Sequence, residues 1–493
     1  MKPLVRFSVF LLLLHAVLKI YEANCDSSQC AENQTETLTT TTTTVRLESD
    51  QNCNLSIGND TTGQGSITDL TPGKVYKVFF ICFNCCKEVT MKPEAVRNLH
   101  VTNVTTNSLT VNWTEPEGNS SLYRVNWTNG QVNTTETSQT IKDLTAGVLY
   151  CVSVTAVASD DRTEGQNSTV CRYTLPEVVE KLTVVNVTTS SISLEWTKPK
   201  GESSFYRVQW TDGTTNNNKN VTETKINVTD LTAGVLYDFT VIAVAGDNTT
   251  ESEMAETFHY TIPEVVEKLT VVYVTTSSIS LEWTKPKGES SFYRVQWTDG
   301  TTNNNKNVTE TRINVTDLTA GVRYDFTVIA VAGDNTTESE MAETFHYTKP
   351  NIIQNLTVTE LTTSSMYVTW SKPEGGSSFY RVQWTNEGKD ETLNVTETHI
   401  NITNLTAGVQ YEISVIAVAE DHITEGNSTM VSHYTSKCVM LSGCESVLNN
   451  NNNLYFIDPT RGHLFFTLCL VNMRHKHRPK YTHMHKQDLM DIY

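Results

Sequence analysis

A seven-residue segment that recurs along the chain is the feature that most constrains its fold. The segment reads Leu-Thr-Ala-Gly-x-x-Tyr, and its last residues are Tyr150, Tyr237, Tyr324 and Tyr411, which are spaced by a constant 87 residues. A looser copy, Leu-Thr-Pro-Gly-Lys-Val-Tyr, ends at Tyr76. A fixed period of this size indicates a tandem array of similar domains, so the 493 residues are interpreted repeat by repeat.

Each of four repeats also contains two tryptophans. All 8 tryptophans of the chain fall in these repeats, and the two in each repeat are always 14 residues apart. Apolar residues alternate before them, so that Leu109, Val111 and Trp113 share one face of a predicted strand. Turn signals such as Asn129-Gly130 separate the alternating runs, and no segment has a sustained helical period. We therefore predict an all-β chain in which each repeat is an antiparallel β-sandwich.

The domain boundaries follow from this period and from a proline near each junction. Because proline stiffens a junction and almost no residues separate the repeats, we expect a semi-rigid rod. The predicted segments are a signal peptide over 1–23, a threonine-rich linker over 24–50, a divergent or partial repeat over 51–92, repeat 1 over 93–175, repeat 2 over 176–262, repeat 3 over 263–349, repeat 4 over 350–436, and an irregular, disordered tail over 437–493.

The N-terminus of the chain has the pattern of a targeting signal, and the tail only partly resembles one. Lys2 and Arg6 precede an apolar run over 7–18, and the small Ala23 follows, which is the pattern of a secretory signal peptide. In the tail, an apolar run over 464–471 precedes basic residues and imitates a stop-transfer signal. This run is only about half the length that a bilayer core requires. We interpret the tail as disordered or non-native sequence, with a transmembrane helix as the alternative.

The charge and the motifs exclude several function classes. The formal net charge is −18, and an acidic surface repels phosphate backbones, so nucleic acid is not an expected partner. No Gly-rich phosphate loop, zinc-ligand spacing or Ser-His-Asp order is present. The histidines of the tail lack a scaffold that would fix a metal ion. We therefore predict no catalytic residues, no cofactor and no metal.

The early tryptophan, the Tyr-x-Val-x-Trp strand and the Leu-Thr-Ala-Gly-x-x-Tyr segment together resemble fibronectin type III domains. The resemblance covers residues 93 to about 435, with one departure, an alanine where the family usually has proline. In that family the tryptophan anchors the core and the tyrosine forms a "tyrosine corner". The resemblance thus implies structural roles for Trp113, Tyr150, Trp196, Tyr237, Trp283, Tyr324, Trp370 and Tyr411.

Within that family, the short Asn- and Thr-rich repeats look most like the ectodomains of receptor-type tyrosine phosphatases. The catalytic domain of those receptors uses a His-Cys-(five residues)-Arg motif, and no cysteine here follows a histidine. The resemblance therefore implies a non-enzymatic, secreted form or ectodomain that binds an unidentified extracellular protein. Membrane association would require a longer, single-pass form with a transmembrane helix. The alternative is a structural matrix protein that resembles tenascin or fibronectin.

Two cysteines of repeat 1 form the one disulfide that the sequence predicts. Cys151 and Cys171 lie on the last two strands of the repeat, which are expected to pair as a hairpin. The matching positions of the other repeats lack cysteine, so the two occur together or not at all. In a secreted chain this favours a disulfide, and the alternative is two free thiols. The pairing of the remaining cysteines, six of which precede residue 90, stays open.

Asparagine glycosylation is the predicted modification. The chain has 21 Asn-x-Ser/Thr sequons, a density that indicates glycosylation in a secreted protein. Asn112 and Asn126 each precede a core tryptophan, so their side chains should point outward. The candidate sites are Asn103, Asn112, Asn126, Asn186, Asn220, Asn227, Asn307, Asn314, Asn394 and Asn401.

Overall fold

The structure is a computed structural model that describes residues 38–47, 53–58, 61–81, 85–386 and 388–437, with the backbone of 445–448 and 454–457. All regular elements in these ranges are β-strands, which confirms the predicted fold class. Among the same residues no helix offers the length and apolar character that crossing a bilayer requires. The predicted signal peptide and the apolar run of the tail lie outside the described residues.

A first sandwich, here called the N-terminal sandwich, spans residues 38–91. It contains one sheet of three strands in the order β1-β2-β5 and one of four strands in the order β4-β3-β6-β7. Its strands are β1 Leu38–Thr40, β2 Val45–Leu47, β3 Asn54–Ile57, β4 Thr61–Gln64, β5 Ser66–Ile67, β6 Val75–Phe80 and β7 Cys85–Thr90.

The structure differs here from the linker predicted over 24–50 and from the partial repeat predicted over 51–92. The threonine tract forms the turn between β1 and β2, in which the Thr41 amide donates to the Thr44 carbonyl at 2.9 Å. The Thr44 amide in turn donates to the Thr41 hydroxyl at 3.0 Å. Val45 then enters the core with no exposed surface. The tract is therefore part of a complete sandwich with two sheets.

Repeats 1 to 4 each contain seven strands. Repeat 1 consists of β8 Arg97–Val104, β9 Leu109–Thr114, β10 Leu122–Trp127, β11 Gly130–Thr134, β12 Ser138–Ile141, β13 Leu149–Val157 and β14 Ser168–Tyr173. Repeat 2 consists of β15 Glu180–Val187, β16 Ile192–Thr197, β17 Phe205–Thr211, β18 Asn216–Val221, β19 Lys225–Val228, β20 Leu236–Val244 and β21 Ala255–Tyr260. Repeat 3 consists of β22 Glu267–Val274, β23 Ile279–Thr284, β24 Phe292–Thr298, β25 Asn303–Val308, β26 Arg312–Val315, β27 Arg323–Val331 and β28 Ala342–Tyr347. Repeat 4 consists of β29 Gln354–Thr359, β30 Met366–Ser371, β31 Phe379–Asn386, β32 Lys389–Val395, β33 His399–Ile402, β34 Gln410–Val418 and β35 Thr429–Tyr434.

The five sandwiches share one sheet topology. The first, second and fifth strands form a three-stranded sheet with the second strand in the middle. The other sheet has the order fourth, third, sixth, seventh, so the fourth and seventh strands are its edges. All strand pairs in repeat 2 are antiparallel, for example Val208 opposite Val241. The apolar face of each sheet is buried against the other, which is the arrangement that alternating sequences favour.

Each core is built around the first tryptophan of its repeat. In repeat 2, Trp196 is 3% exposed and meets the ring of Tyr206 edge-on, with ring centroids 5.4 Å apart. Such edge-to-face packing adds to the stabilisation from buried apolar area. The same pair recurs in the other repeats. The indole nitrogens of the four first tryptophans are buried and have no hydrogen-bond partner, so these side chains act as apolar anchors.

The recurring Leu-Thr-Ala-Gly-x-x-Tyr segment forms a corner that leads into the sixth strand. In repeat 2, the Thr232 amide donates a hydrogen bond to the Tyr237 hydroxyl oxygen at 3.0 Å. The turn contains two residues with positive φ, Asp230 at 61° and Gly234 at 70°. Bonds of 2.9–3.0 Å join the equivalent atoms of the other four sandwiches, including the N-terminal one at Tyr76. The hydroxyl thus restrains a turn whose backbone conformation is otherwise unfavourable.

A buried threonine, which the sequence interpretation missed, joins this corner to the end of each repeat. In repeat 2, the Thr261 hydroxyl donates to the Thr232 carbonyl at 2.6 Å and accepts from the Val235 amide at 3.1 Å. Thr174, Thr348 and Thr435 make the same bonds in their repeats. Each follows its corner tyrosine by 24 residues in a Tyr-Thr dipeptide, which is the sequence signal that identifies it.

The corner turn also contacts the next domain. Apart from residues 332–337, the chain groups into two compact units that divide between Pro263 and Glu264. Within the first unit, the Glu202 amide of repeat 2 donates to the Ala146 carbonyl of repeat 1 at 3.0 Å. The equivalent bond from Asn119 to Pro72 measures 2.9 Å, and within the second unit the bond from Gly376 to Ala320 measures 2.8 Å.

The glycine of the corner allows this close approach. A Cβ atom placed on Gly147 would lie 1.8 Å from the backbone oxygen of Glu202. A Cβ atom on Gly321 would lie equally close, at 1.8 Å, to the backbone oxygen of Gly376. The glycine therefore serves both the positive φ of the turn and the contact between neighbouring sandwiches.

The tail predicted as irregular over 437–493 contains one short hairpin among its described residues. Strands β36 Glu445–Leu448 and β37 Leu454–Ile457 pair antiparallel, with Glu445 opposite Ile457. The sequence has a run of asparagines over 449–453, which lies between these strands and outside the described residues.

Removal of the corner hydroxyl should weaken one corner only. In a Tyr237→Phe variant, the Thr232 amide loses its hydrogen-bond acceptor. Because one hydrogen bond contributes about 1 kcal/mol, hydrogen exchange at the Thr232 amide should accelerate about fivefold or more. Hydrogen-exchange mass spectrometry of the full chain measures this. The Thr319 amide in repeat 3 is an internal control because its own corner is unchanged. Equal acceleration at both amides, or at neither, would contradict the role of the hydroxyl.

A methyl group on the corner glycine should loosen the junction between repeats 1 and 2. Gly147 and Gly213 both have positive φ, 70° and 86°, so alanine costs roughly 1–2 kcal/mol of backbone strain at either position. Only Gly147 contacts the next repeat, because no atom lies within 4 Å of a Cβ on Gly213. We expect faster exchange of the Glu202 amide in Gly147→Ala and unchanged exchange in Gly213→Ala. Identical behaviour of the two variants would refute this role.

Candidate functional surfaces

The predicted structural residues all lie inside the cores. Each is less than a tenth exposed, and each belongs to the apolar cluster of its own repeat, which the fold requires of a core anchor. They are Trp113, Tyr150, Trp196, Tyr237, Trp283, Tyr324, Trp370 and Tyr411. At Tyr411 burial raises the pKa, but hydrogen bonds from the Thr406 amide and the Asn386 side chain outweigh this effect and lower it. None of these tyrosines is placed to act on a ligand.

The predicted glycosylation sites lie on outer faces of the sheets. Eight of the ten side chains are exposed, and Asn112 and Asn126 are half-buried because they lie on β9 and β10, which are inner strands of their sheets. Asn112 accepts a hydrogen bond from the Ser138 hydroxyl at 2.7 Å. The exposed sites are Asn103, Asn186, Asn220, Asn227, Asn307, Asn314, Asn394 and Asn401.

One cross-strand position differs between the repeats more than its surroundings do. In repeat 1 it holds Cys151 opposite Cys171, whose sulfurs are bonded at 2.05 Å with the Cα atoms 4.0 Å apart. Both cysteines are exposed, so the bond lies on the outer face of the four-stranded sheet. Repeats 2, 3 and 4 place there Asp238 opposite Phe258, Asp325 opposite Phe345, and Glu412 opposite Ser432.

The two phenylalanines at this position have different neighbours. In repeat 3, the guanidinium of Arg323 lies 4.2 Å from the centre of the Phe345 ring and binds the Asp325 carboxylate at 2.7 Å. Repeat 2 has Leu236 in place of this arginine. Phe258 is accordingly 70% exposed, compared with 56% for Phe345. A cation over an aromatic face covers part of the ring and contributes about 0.5–1 kcal/mol at an exposed site.

An arginine of the third strand forms an ion pair in every repeat. Arg207 contacts Glu251 in the loop between the sixth and seventh strands, and both side chains are partly buried. The same pair recurs as Arg124 with Glu164, Arg294 with Glu338, and Arg381 with Glu425. Because the partners come from distant parts of the repeat, the pair fixes the loop against the sheet.

An aspartate in the loop between the sixth and seventh strands accepts several hydrogen bonds from the threonines that follow it. The Asp247 carboxylate accepts from the Thr249 and Thr250 amides at 3.0 and 2.8 Å and from the Thr250 hydroxyl at 2.6 Å. Partial burial raises the pKa of Asp247, but these bonds outweigh it and lower the pKa to about 2. The pKa values of Asp160 and Asp334 are lowered to about 2 in the same way. These carboxylates stay ionised and engaged, so they are unsuited to general acid–base catalysis.

The remaining cysteines and histidines offer no site within the described residues. Cys53, Cys85 and Cys86 lie in the core of the N-terminal sandwich and are disulfide-bonded. Cys25, Cys30, Cys82 and the histidines of the tail lie outside the described residues. In the parts of the chain that are described, no group of three or more metal-binding side chains occurs.

Loss of the disulfide should destabilise repeat 1 alone. It closes a loop of 20 residues, and a loop of this size corresponds to about 3 kcal/mol in the chain-entropy account. A Cys151→Ser, Cys171→Ser variant should therefore unfold in repeat 1 at lower denaturant, as monitored by repeat-resolved hydrogen exchange. The matched control is Asp238→Ser, Phe258→Ser at the equivalent position of repeat 2, where we expect little change. An equal loss of stability against denaturant in the two variants would argue against stabilisation by the disulfide.

Comparison with known proteins identifies the repeats. The fibronectin type III domain profile matches residues 94–170, 177–258, 264–345 and 350–432. The chain is 33% identical over 403 residues to "Receptor-type tyrosine-protein phosphatase eta" of Gallus gallus, which covers 77% of this chain and 29% of that protein. It is 34% identical over 345 residues to "Receptor-type tyrosine-protein phosphatase H" of Homo sapiens, and this match covers 66% of this chain and 30% of that protein. It is 25% identical over 402 residues to "Tenascin-R" of Mus musculus, and this match covers 75% of this chain and 29% of that protein.

These matches cover repeats and no catalytic domain. The chain spans about a third or less of the length of each of these relatives. The matched parts of the receptor phosphatases are the repeat-containing ectodomain portions, which confirms the resemblance stated from the sequence. With the profile matched by four repeats in register, the chain belongs to the fibronectin type III family.

Proposed function

We propose that this chain is an extracellular, glycosylated protein-binding array and that it serves as the ectodomain, or a soluble form, of a receptor of the tyrosine phosphatase type. The observation that carries the proposal is the identity of 33–34% to two receptor-type phosphatases across the repeats. Tenascin-R matches a similar length at 25%. The fold by itself does not choose between these classes, because fibronectin type III domains serve many functions.

An oxidising, secretory environment fits the covalent features of the chain. The Cys151–Cys171 bond is exposed to solvent, so thiols in the cytosol would reduce it. Sequons occur in all four repeats, on outer faces of both sheets. The signal sequence predicted over 1–23 supplies the route of export. These features support the extracellular placement together, and each of them can be tested separately.

The outer face of the four-stranded sheet of repeat 2 is the proposed contact surface for a protein ligand. Phe258 is 70% exposed on an edge strand, beside the half-buried Leu236. Aromatic side chains are enriched among the residues that dominate protein interfaces. In repeat 3 the equivalent Phe345 is partly covered by Arg323. We therefore assign the larger share of ligand contact to Phe258.

The alternative function is that of a structural matrix protein. The similarity to tenascin-R favours it, and the two functions make different demands on the secreted chain. A matrix protein assembles into an insoluble network, whereas a receptor ectodomain remains soluble and binds a partner on another surface.

Expression of the full chain in mammalian cells tests the proposal. We expect a soluble glycoprotein in the medium whose mass falls on enzymatic deglycosylation. The purified chain should bind intact cells, and protease treatment of those cells should abolish binding. A Phe258→Ser variant, which introduces the residue of repeat 4, should bind about tenfold more weakly, and Phe345→Ser should lose less.

Three outcomes would contradict parts of this proposal. Deposition of the secreted chain in a detergent-insoluble matrix would favour the tenascin-like alternative. Retention of an unglycosylated chain inside the cell would contradict the extracellular assignment. Equal binding by the wild type and Phe258→Ser, with secretion intact, would reject only the proposed contact surface.

A further inference from the structure

One sequon position is common to all four repeats. Alignment of the repeats on their corner tyrosines brings four sequons to the same place, 17 residues before the tyrosine. They are Asn133, Asn220, Asn307 and Asn394. Every other sequon is missing from at least one repeat, as at Asn186, whose counterpart in repeat 3 is Tyr273.

All four of these asparagines lie on the fourth strand, which is a free edge of the four-stranded sheet. In repeat 2, Asn220 of β18 is opposite Arg207 of β17. Tyr206 and Val208, the neighbours of Arg207, face the core, so Asn220 lies on the outer face. Asn133, Asn307 and Asn394 are likewise opposite Arg124, Arg294 and Arg381. The four side chains are exposed.

A free edge of this composition is prone to pairing with another strand. β18 and β25 have the same sequence, Asn-Asn-Asn-Lys-Asn-Val, and their first five residues are exposed. Edge strands present unpaired amide and carbonyl groups, and asparagine ladders stabilise stacks of identical strands. Because the two strands are identical, every copy of the chain carries two mutually compatible edges.

Charge protects these edges only in part. Lys219 is opposite the buried Val208, so it places a charge on the core-facing side of the edge in repeat 2, and Lys306 does so in repeat 3. Repeats 1 and 4 have apolar residues there, Val132 and Leu393. Leu393 is 50% exposed. The sequon is therefore the protective feature that the four edges share.

We propose that N-glycans on Asn133, Asn220, Asn307 and Asn394 shield the fourth-strand edges and prevent them from pairing with edges of other copies of the chain. A pairing strand would have to lie about 4.8 Å from the edge, within the volume that a branched glycan on the same strand occupies. The inference rests on the proposed function in one respect, namely that the chain is glycosylated in the secretory pathway.

Sequon variants of the full chain, secreted from mammalian cells, test this proposal. The variant Thr135→Ala, Thr222→Ala, Thr309→Ala, Thr396→Ala removes the four glycans and leaves the asparagines in place. These threonines are exposed, so the cores should be unaffected. We expect its mean mass in light scattering to be about twofold or more that of the wild type at equal concentration. The matching Thr→Ser variant keeps the four sequons and should remain monomeric.

A second control removes the same number of glycans from loops. One sequon per repeat lies between the sixth and seventh strands, away from the fourth-strand edge. The control variant is Asn167→Gln, Asn248→Gly, Asn335→Gly and Asn427→Gln, with glycine where the backbone has positive φ. We expect it to stay monomeric. Self-association equal to that of the edge variant would overturn the proposal, because total glycan loss would then explain both.

Glycopeptide mass spectrometry separates this proposal from the proposed function. If the four edge sites are unoccupied while other sequons carry glycans, the shielding proposal fails and the extracellular assignment stands. A monomeric edge variant would also overturn the proposal. If that variant is not secreted, enzymatic trimming of folded wild-type chain to single sugars replaces it, and a trimmed chain that stays monomeric would count equally against shielding.

Discussion

The hydrogen bond from a backbone amide to the corner tyrosine is the interaction on which each sandwich depends. It recurs at 2.9–3.0 Å in all five sandwiches, although their cores differ in size and cysteine content. The tyrosine ring is buried in the core of each of the four repeats and half-buried at Tyr76, so the hydroxyl holds the turn against the core. The turn holds a non-glycine residue and a glycine at positive φ, and strain of this kind persists only where the surroundings enforce it. The core therefore determines where the chain reverses.

The same turn also accepts a hydrogen bond from the neighbouring domain at three junctions. The carbonyl at Ala146 accepts a bond from repeat 2, and the carbonyl at Ala320 accepts one from repeat 4. The N-terminal sandwich carries proline at this position, Pro72, and proline limits the flexibility of the turn. Alanine lacks that restraint. At Ala146 and Ala320 the bond to the neighbouring domain restrains the turn in another way.

The strand pattern and the core anchors could be predicted because they are periodic. Trp196 and Tyr237 follow from alternation and from the repeat, and the structure places both in the core of repeat 2. The N-terminal sandwich was predicted only in part, because its threonine tract has the composition of a linker. In the Thr41–Thr44 turn, as in the Thr188–Ser191 turn, hydroxyl-bearing residues three positions apart are hydrogen-bonded. Because all four residues from 41 to 44 are threonine, this spacing cannot be recognised in the sequence. The contacts between domains could not be predicted from the sequence. The positive φ of the turn is enough to explain the corner glycine, so nothing in the sequence signals its second role.

Repeats 2 and 3 show how little of the sequence determines the fold and how much is free to vary on the surface. Over residues 177–262 and 264–349 they differ at four positions, none of which is buried. Two of the changes alter the exposed surface: Tyr273 places an exposed ring where repeat 2 has the sequon asparagine Asn186, and Arg323 covers part of Phe345. Because the core and the corner are unchanged, these substitutions cost the fold little. The two repeats therefore present surfaces of different chemistry on the same scaffold, because all four changes lie where neither the core nor the corner constrains the side chain.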